Sequence, residues 1–381
     1  MLKNRIIVPV NGPLLIGNVK KNILDCLKKN FISSSGAYVK EFEQKFAKFL
    51  KKKYAISVSN GTAALQLAIE SLNLKKGSEV ILPSFTIISC ILPLIRCGLK
   101  PVLIDSDLSS WNMKVEDIEK KINKKTKAIM AVHIYGMPTD MKVILKLAKK
   151  YKLKIIEDSA ESIGLTFDNK QCGSFGDVST FSFFANKHIT TGEGGMIVTN
   201  SLKIANRCRS LRNLFFNNER RFKHYELGWN YRLTNLQAAI GVAQLEKINY
   251  FIKKKRKMGD YYQKHLNTLS KYVYLPKIKN KYSKNVYWVF GLVLRKDAKI
   301  SLKKVMEQLK RRGIETRNFF WPLHQQPILK KMGYFKNSKH PNAEFLSKNG
   351  FYIPSGLSIS QKDQKYVIKN LINILEKKNY V

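Results

Sequence analysis

The stretch STFSFFANKHITTGEGGMIVTN, Ser179 to Asn200, sets one lysine, Lys187, between two apolar runs. STFSFF and GGMIVTN have the β-branched and aromatic make-up of strands, and the intervening glycines mark a turn. Upstream the same signature recurs in YAISVSN (54–60), EVILPSF (79–85), KPVLIDSD (100–107), AIMAVHIYG (128–136) and LKIIEDSAES (153–162). Each run ends in Pro, Gly, Asp or Ser. Amphipathic stretches such as GTAALQLAIESL and MKVILKLAKKYK lie between them. Strands alternating with helices predict an α/β fold, a mostly parallel sheet covered on both faces. Ligands in such sheets collect at the carboxyl ends of the strands, so the polar residues just after each apolar run are the first candidates for a site.

Downstream, one long helical pattern over Leu233–Lys257, with Leu236, Ile240, Ala243, Leu245 and Ile248 at helical spacing, carries the chain out of this sheet. VYWVFGLVL (286–294) then reads as a strand. SLKKVMEQLKRRG (301–313) and QKDQKYVIKNLINILEKK (361–378) read as amphipathic helices. The expected organisation is a large domain over 1–250 and a smaller α+β domain over 251–381.

Composition narrows the class. At 381 residues and 44% hydrophobic, the chain has enough apolar surface to fold without disulfide or metal staples. No window approaches the roughly 20 apolar residues of a membrane helix, and MLKNRIIVPVNGPLLIGNVKKN lacks the apolar core of a secretory signal. Cys26, Cys90, Cys97, Cys172 and Cys208 show neither paired nor metal-ligand spacing, which implies reduced thiols and a cytoplasmic location. Lys plus Arg number 69 against 27 acidic residues, a net charge of +42. Such a field attracts polyanions, yet the lysines come in short scattered runs (Lys51–Lys53, Lys253–Lys255) without a nucleic-acid-binding signature. They read as solvated faces, and nucleic acid as a partner is disfavoured.

Three segments carry candidate chemistry. In SNGTAAL (59–65) a strand runs through a glycine turn into a helix starting near Thr62, which is either a phosphate site or an ordinary capping turn. In IIEDSAES (155–162), a helix starting after the strand would put Asp158 and Glu161 on one side, one turn apart. A carboxylate at a strand end can keep a pyridine nitrogen protonated; the alternative is a capping Asp with a capping-box Glu. Lys187 follows an apolar strand and precedes TTGEGG, whose glycines would let backbone lie against a flat ligand. A lysine in such a pocket loses its proton readily and can form an imine with an aldehyde. Ser182, five residues earlier, could share a phosphate with Thr62.

These segments resemble the DegT/DnrJ/EryC1/StrS family of sugar aminotransferases, from FISSSGAYVKEFEQKFA (31–47) to FYIPSGLSIS (351–360). FSFFANKHITTGEGGM is the most specific stretch. PSFTIISC, HIYGMPTDM, GWNYRLTNLQAAIG and GIETRNFFWPLHQQP resemble the group of this family that aminates GDP-4-keto-6-deoxymannose. The resemblance implies PLP-dependent transferase fold type I, like aspartate aminotransferase, with pyridoxal 5'-phosphate as cofactor and pyridoxamine 5'-phosphate in the cycle. It implies L-glutamate as donor, 2-oxoglutarate as product and a nucleotide-linked keto sugar as acceptor. Lys187 would be the Schiff-base lysine, Asp158 the partner of the ring nitrogen and Glu161 the neighbour of the ring hydroxyl. Gly61, Thr62 and Ser182 would hold the phosphate. Asn230 would reach the cofactor phosphate of a second subunit, which implies a homodimer with shared sites. Phe85 or Ile87 would cover a ring face, Ile87 standing where relatives often carry an aromatic.

Arg317 and His324 are candidate substrate contacts, with structural roles equally open; His133 reads as a core histidine. Related sugar 3-dehydratases place histidine where the aminotransferases have lysine, and here Lys187 and His188 stand side by side. Aligning backward from TTGEGG puts Lys187 at the reacting position, which favours amino transfer.

Overall fold

In the computed structural model, which describes residues 7–217 and 219–376, the apolar runs become strands. These are β1 (Tyr54–Val58), β2 (Glu79–Pro83), β3 (Lys100–Ile104), β4 (Thr126–Val132) and β5 (Lys154–Asp158). A short hairpin, β6 (Thr166–Phe167) and β7 (Lys170–Gln171), precedes β8 (Val178–Ser182) and β9 (Gly195–Thr199). The large sheet has seven strands in the order β1-β9-β8-β5-β4-β2-β3. β9 runs antiparallel to β1 and β8, and the remaining pairs are parallel. It is the mostly parallel, mixed sheet that the alternation predicts.

Side chains along each strand alternate between two cores, as the two-residue period requires. Val80, Leu82, Ala128 and Met130 pack on one face with the helix Gly61–Ser71. Ile81, Ile129 and Ala131 pack on the other with the helices Ala37–Phe49, Met141–Tyr151 and Asn235–Leu245. A third core, including Met258, Tyr262, Val305, Phe351 and Val367, lies against a second sheet of β10 (Val273–Tyr274), β11 (Phe290–Leu294), β12 (Arg317–Asn318) and β13 (Gly350–Ile353). Its order is β10-β11-β13-β12. Val8 joins this core and bridges to Ile314, so the described N-terminal residues pack with the C-terminal sheet.

Two expectations need correction. The pattern over Leu233–Lys257 is not one helix. It is Asn235–Leu245, capped by the reciprocal Thr234–Gln237 box, and then Ile248–Leu266. No glycine or proline makes the break. The first helix is held against Ala37–Phe49 in the second core, whereas the next lays Met258 and Tyr262 on the second sheet. Residue 250 falls in the first turn of that second helix. In VYWVFGLVL only Phe290–Leu294 is strand, because Val286–Val289 turn past Gly136, where a Cβ would sit 2.7 Å from the Trp288 nitrogen. The closing helix is Gln361–Leu375; Lys377 and Lys378 of the expected span lie outside the described residues.

Candidate active site

At the carboxyl ends of β1, β2, β4, β5 and β8 lies a cavity of about 680 Å³. Asn60, Gly61, Thr62, Asp158, Glu161, Ser182 and Lys187 line it, with His133, Ile87 and Trp288. One end is the start of the helix Gly61–Ser71. Asn60 is its N-cap, the side-chain Oδ1 accepting from Ala63 N at 2.8 Å. First-turn N–H groups have no intrahelical acceptor, and Gly61 and Thr62 stand in that turn. Glycine is required at 61, where a Cβ would meet that of Ser182 at 2.8 Å. Thr62 Oγ1 donates to Ser89 Oγ at 2.9 Å. This end suits a phosphate.

The other end is carboxylate and amine. No helix follows β5, contrary to expectation, and neither capping reading applies. The chain instead turns, with Asp158 Oδ1 accepting from Ala160 N at 3.0 Å and Oδ2 from Cys90 Sγ at 3.2 Å. Glu161 Oε2 accepts from Tyr135 N at 2.8 Å. Burial pushes the Asp158 carboxyl above its ordinary value and pushes Glu161 up to about 8, because neither charge keeps its water. Burial likewise pushes the Lys187 amine down, opposed by the charges of Glu161 and Asp158. Lys187 Nζ rests 3.9 Å from the Trp288 ring centre.

Beneath them Glu157 is fully buried and accepts from the amides of Gly173, Phe175 and Gly176, from Ser179 Oγ and from His133 Nε2. Burial raises its pKa, but His133 and these donors more than offset the effect and hold it below the ordinary range. Thr139 N donates to His133 Nδ1 at 3.2 Å, which fixes the proton on Nε2, 3.0 Å from Glu157. His133 is thus a satisfied histidine, although its partner is a side chain and its ring borders the cavity.

Several placements differ from the sequence reading. His188 points away from Lys187's cavity: it is buried, Nδ1 donates to Ile163 O at 3.0 Å, and it is not among the lining residues. Phe85 is fully buried against Tyr135, Phe319 and Phe320, and Ile87 is the one that reaches the cavity. Two of the three glycines of TTGEGG, Gly194 and Gly195, serve contact within the protein, and Gly192 adopts a positive φ of 81° in the turn. A Cβ on Gly195 would lie 2.5 Å from Asn60 O, and one on Gly194 would lie 2.3 Å from Thr191 Oγ1. Arg317 is exposed on β12, paired with Glu315 at 2.6 Å beside a different cavity. His324 is buried between Ser84 Oγ (2.7 Å) and Glu344 Oε1 (2.9 Å). Neither lines the cavity of Lys187. Asn230 is exposed and also stands outside it. Trp288, Cys90 and Asn60 carried no sequence signal beyond strand, core and turn.

A model of the DegT/DnrJ/EryC1/StrS aminotransferase family matches residues 15–372. The chain belongs to that family. Among relatives in the family, a GDP-perosamine synthase of Escherichia coli O157:H7 is 42% identical over 96% of this chain and 97% of its own length. One of Vibrio cholerae is 40% identical over 97% and 100%. A solved structure, the E. coli GDP-4-keto-6-deoxy-D-mannose-3-dehydratase with bound hydrated PLP, superposes with a TM-score of 0.88 at 30% identity, covering 98% of this chain and 100% of that one. The α/β architecture is that of PLP-dependent transferase fold type I, as the resemblance implied.

Proposed function

We propose that this chain is a pyridoxal 5'-phosphate-dependent aminotransferase. It moves the amino group of L-glutamate to the keto carbon of a nucleotide-linked 4-keto-6-deoxy sugar, GDP-4-keto-6-deoxymannose giving GDP-perosamine. The observation that carries amino transfer is the side-by-side pair: Lys187 turns into the cavity toward Asp158 and Glu161, whereas His188 is tied to Ile163 on the far side. A dehydratase of this fold would need the histidine in the cavity. The GDP sugar rests on the two perosamine synthase relatives.

The lining fits the cofactor. Thr180 Oγ1 and Asn186 Oδ1 are buried polar atoms on its wall with no protein partner, and buried polar groups call for one. The helix start at Gly61 and Thr62, with Ser182 beside it, would hold the phosphate. A buried Asp158 whose charge is penalised by burial is stabilised by a protonated ring nitrogen. Glu161 would stand by the ring hydroxyl and Ile87 over a ring face. When bound, the cofactor supplies an aldehyde that takes up the donor's nitrogen and a ring that accepts the electron pair left on its carbon.

The protein's own part is proton handling and positioning. Asp158 keeps the ring nitrogen protonated. Lys187 Nζ, made a ready base by burial, would take the proton from the donor carbon and hold it for return. The anchored nucleotide positions the reacting carbon. Asn230 of a second copy would complete the phosphate end; Phe222, Tyr225 and Leu227 in the same segment are exposed apolar residues that a second chain would cover. Lys187→Ala should abolish the absorbance of lysine-bound cofactor and cut glutamate-dependent 2-oxoglutarate formation by roughly 10²–10⁴-fold, the range for losing a general acid–base group. Full activity in that variant would eliminate the proposal. Mass spectrometry of GDP-, UDP- and dTDP-linked keto sugars incubated with glutamate reads the substrate.

A further inference from the structure

The run Lys253–Lys255, read from sequence as solvated, contains a lysine that is not. Lys255 is 2% exposed on the helix Ile248–Leu266. Its hydrogen-bond partners are two backbone carbonyls, Trp288 O at 3.0 Å and Ser355 O. We infer that Lys255 is a positioning residue for the reacting amine: by donating to the carbonyls of Trp288 and Ser355 it holds the Trp288 ring beneath Lys187 Nζ. The inference rests on the role proposed above for Lys187.

The geometry supplies each link. Trp288 is held at three points: its carbonyl by Lys255, its indole Nε1 by Asn186 O at 3.0 Å, and its ring face by Tyr135, stacked at 5.8 Å and 28°. Asn186 is the residue before Lys187, so the indole bond and the 3.9 Å ring contact fix both the backbone and the amine of the same short segment. Tyr135 in turn gives its backbone N–H to Glu161 at 2.8 Å. Ser355, whose carbonyl is the second bonded to Lys255, accepts from Phe290 N through its Oγ at 3.1 Å, which fixes the start of β11 just after Trp288. Lys255 therefore ties the carbonyl of Trp288 to Ser355, which in turn holds Phe290 N at the start of β11.

A purely packing role would be served better by an apolar side chain, because burying an ammonium without a carboxylate is costly. That cost shows in the amine itself, which burial pushes down to about 7. What lysine provides and an aliphatic residue cannot is two donors for carbonyls that the turn leaves without a strand partner.

A double-mutant cycle of Lys255→Met and Trp288→Leu in the full-length chain tests this. Two readouts are taken: the rate at which cofactor-stripped enzyme takes up added pyridoxal phosphate, followed by absorbance, and kcat with KM for the keto sugar. Lys255→Met should slow uptake and kcat about tenfold with KM changed less than twofold. In the Trp288→Leu background the same change should cost less than twofold more, since the ring it positions is gone. Unaltered uptake and kcat in Lys255→Met, or losses that multiply across the cycle, would overturn the assignment. Should Lys255→Met give no folded protein, Lys255→Gln, whose uncharged NH₂ is carried on a shorter arm, takes its place with the same criteria. Full glutamate-dependent 2-oxoglutarate formation in Lys187→Ala sinks the aminotransferase reading instead, so the two failures are distinguishable.

Discussion

Replacing His188 by Gln should flatten the acid side of the stability curve. In the folded chain His188 is buried, with Nδ1 bonded to Ile163 O at 3.0 Å. Burial first, and then the nearby charge of Lys255, push its pKa from 6.5 down to about 3. The unfolded chain then binds a proton below pH 6.5 that the folded chain refuses, so stability present above 6.5 is lost as the pH falls toward 3. Between pH 7 and pH 5 this one group removes about 2 kcal/mol, at 1.36 kcal/mol per pKa unit. Urea unfolding at both pH values, wild type against His188→Gln, isolates the term because the carboxylates titrate alike in both chains. The wild type should lose about 2 kcal/mol more than the variant over that interval. Parallel losses would mean that the ring takes up its proton in the folded state, and the account of a neutral, inward-facing His188 would be wrong.

Asn60→Ala removes the N-cap of the Gly61–Ser71 helix and should cost about 1 kcal/mol in chemical unfolding, with weaker cofactor retention in equilibrium dialysis. Gly195→Ala puts a Cβ 2.5 Å from Asn60 O; it should raise the cofactor's Kd at least tenfold through the displaced helix start, and an unchanged Kd would show that this end holds no phosphate. Glu157→Gln turns an acceptor for five donors into a group with its own NH₂ facing them, which should cost about 1–3 kcal/mol for each donor left unpaired, measured by thermal unfolding. Asp158→Asn removes the charge opposite the ring nitrogen and should lower kcat at least a hundredfold while the cofactor stays bound, read by absorbance alongside steady-state rates.

The sheet was legible because its strands are mostly apolar runs rich in Val and Ile and their burial is two-sided; β1 to β5 fall where those runs lie. The cavity was legible for the same reason, since its polar residues sit just past strand ends. What pattern could not show was direction. Lys187 and His188 are consecutive yet face opposite ways, and Phe85 and Ile87, two residues apart, divide between core and cavity. Neither outcome follows from strand periodicity, because both segments lie beyond their strands, where turn geometry sets orientation. Lys255 was invisible because a lysine in a basic run has the composition of a solvated face, and only the packing of two distant carbonyls makes it otherwise. Likewise the break at Glu246–Lys247 has no residue that forbids helix. It reflects two surfaces competing for one amphipathic pattern.

Ser84, just past β2, donates or accepts with His324, His324 is bonded to Glu344, and Leu323 N adds a backbone bond of 2.8 Å to Ser84 O. The loop bearing Ile87 is thereby riveted to the segment from Leu323 to Glu344, through bonds that water does not reach at their centre. A displacement of that segment cannot leave the loop behind: it carries one wall of the cavity with it, so the width of the entrance and the position of Ile87 change together.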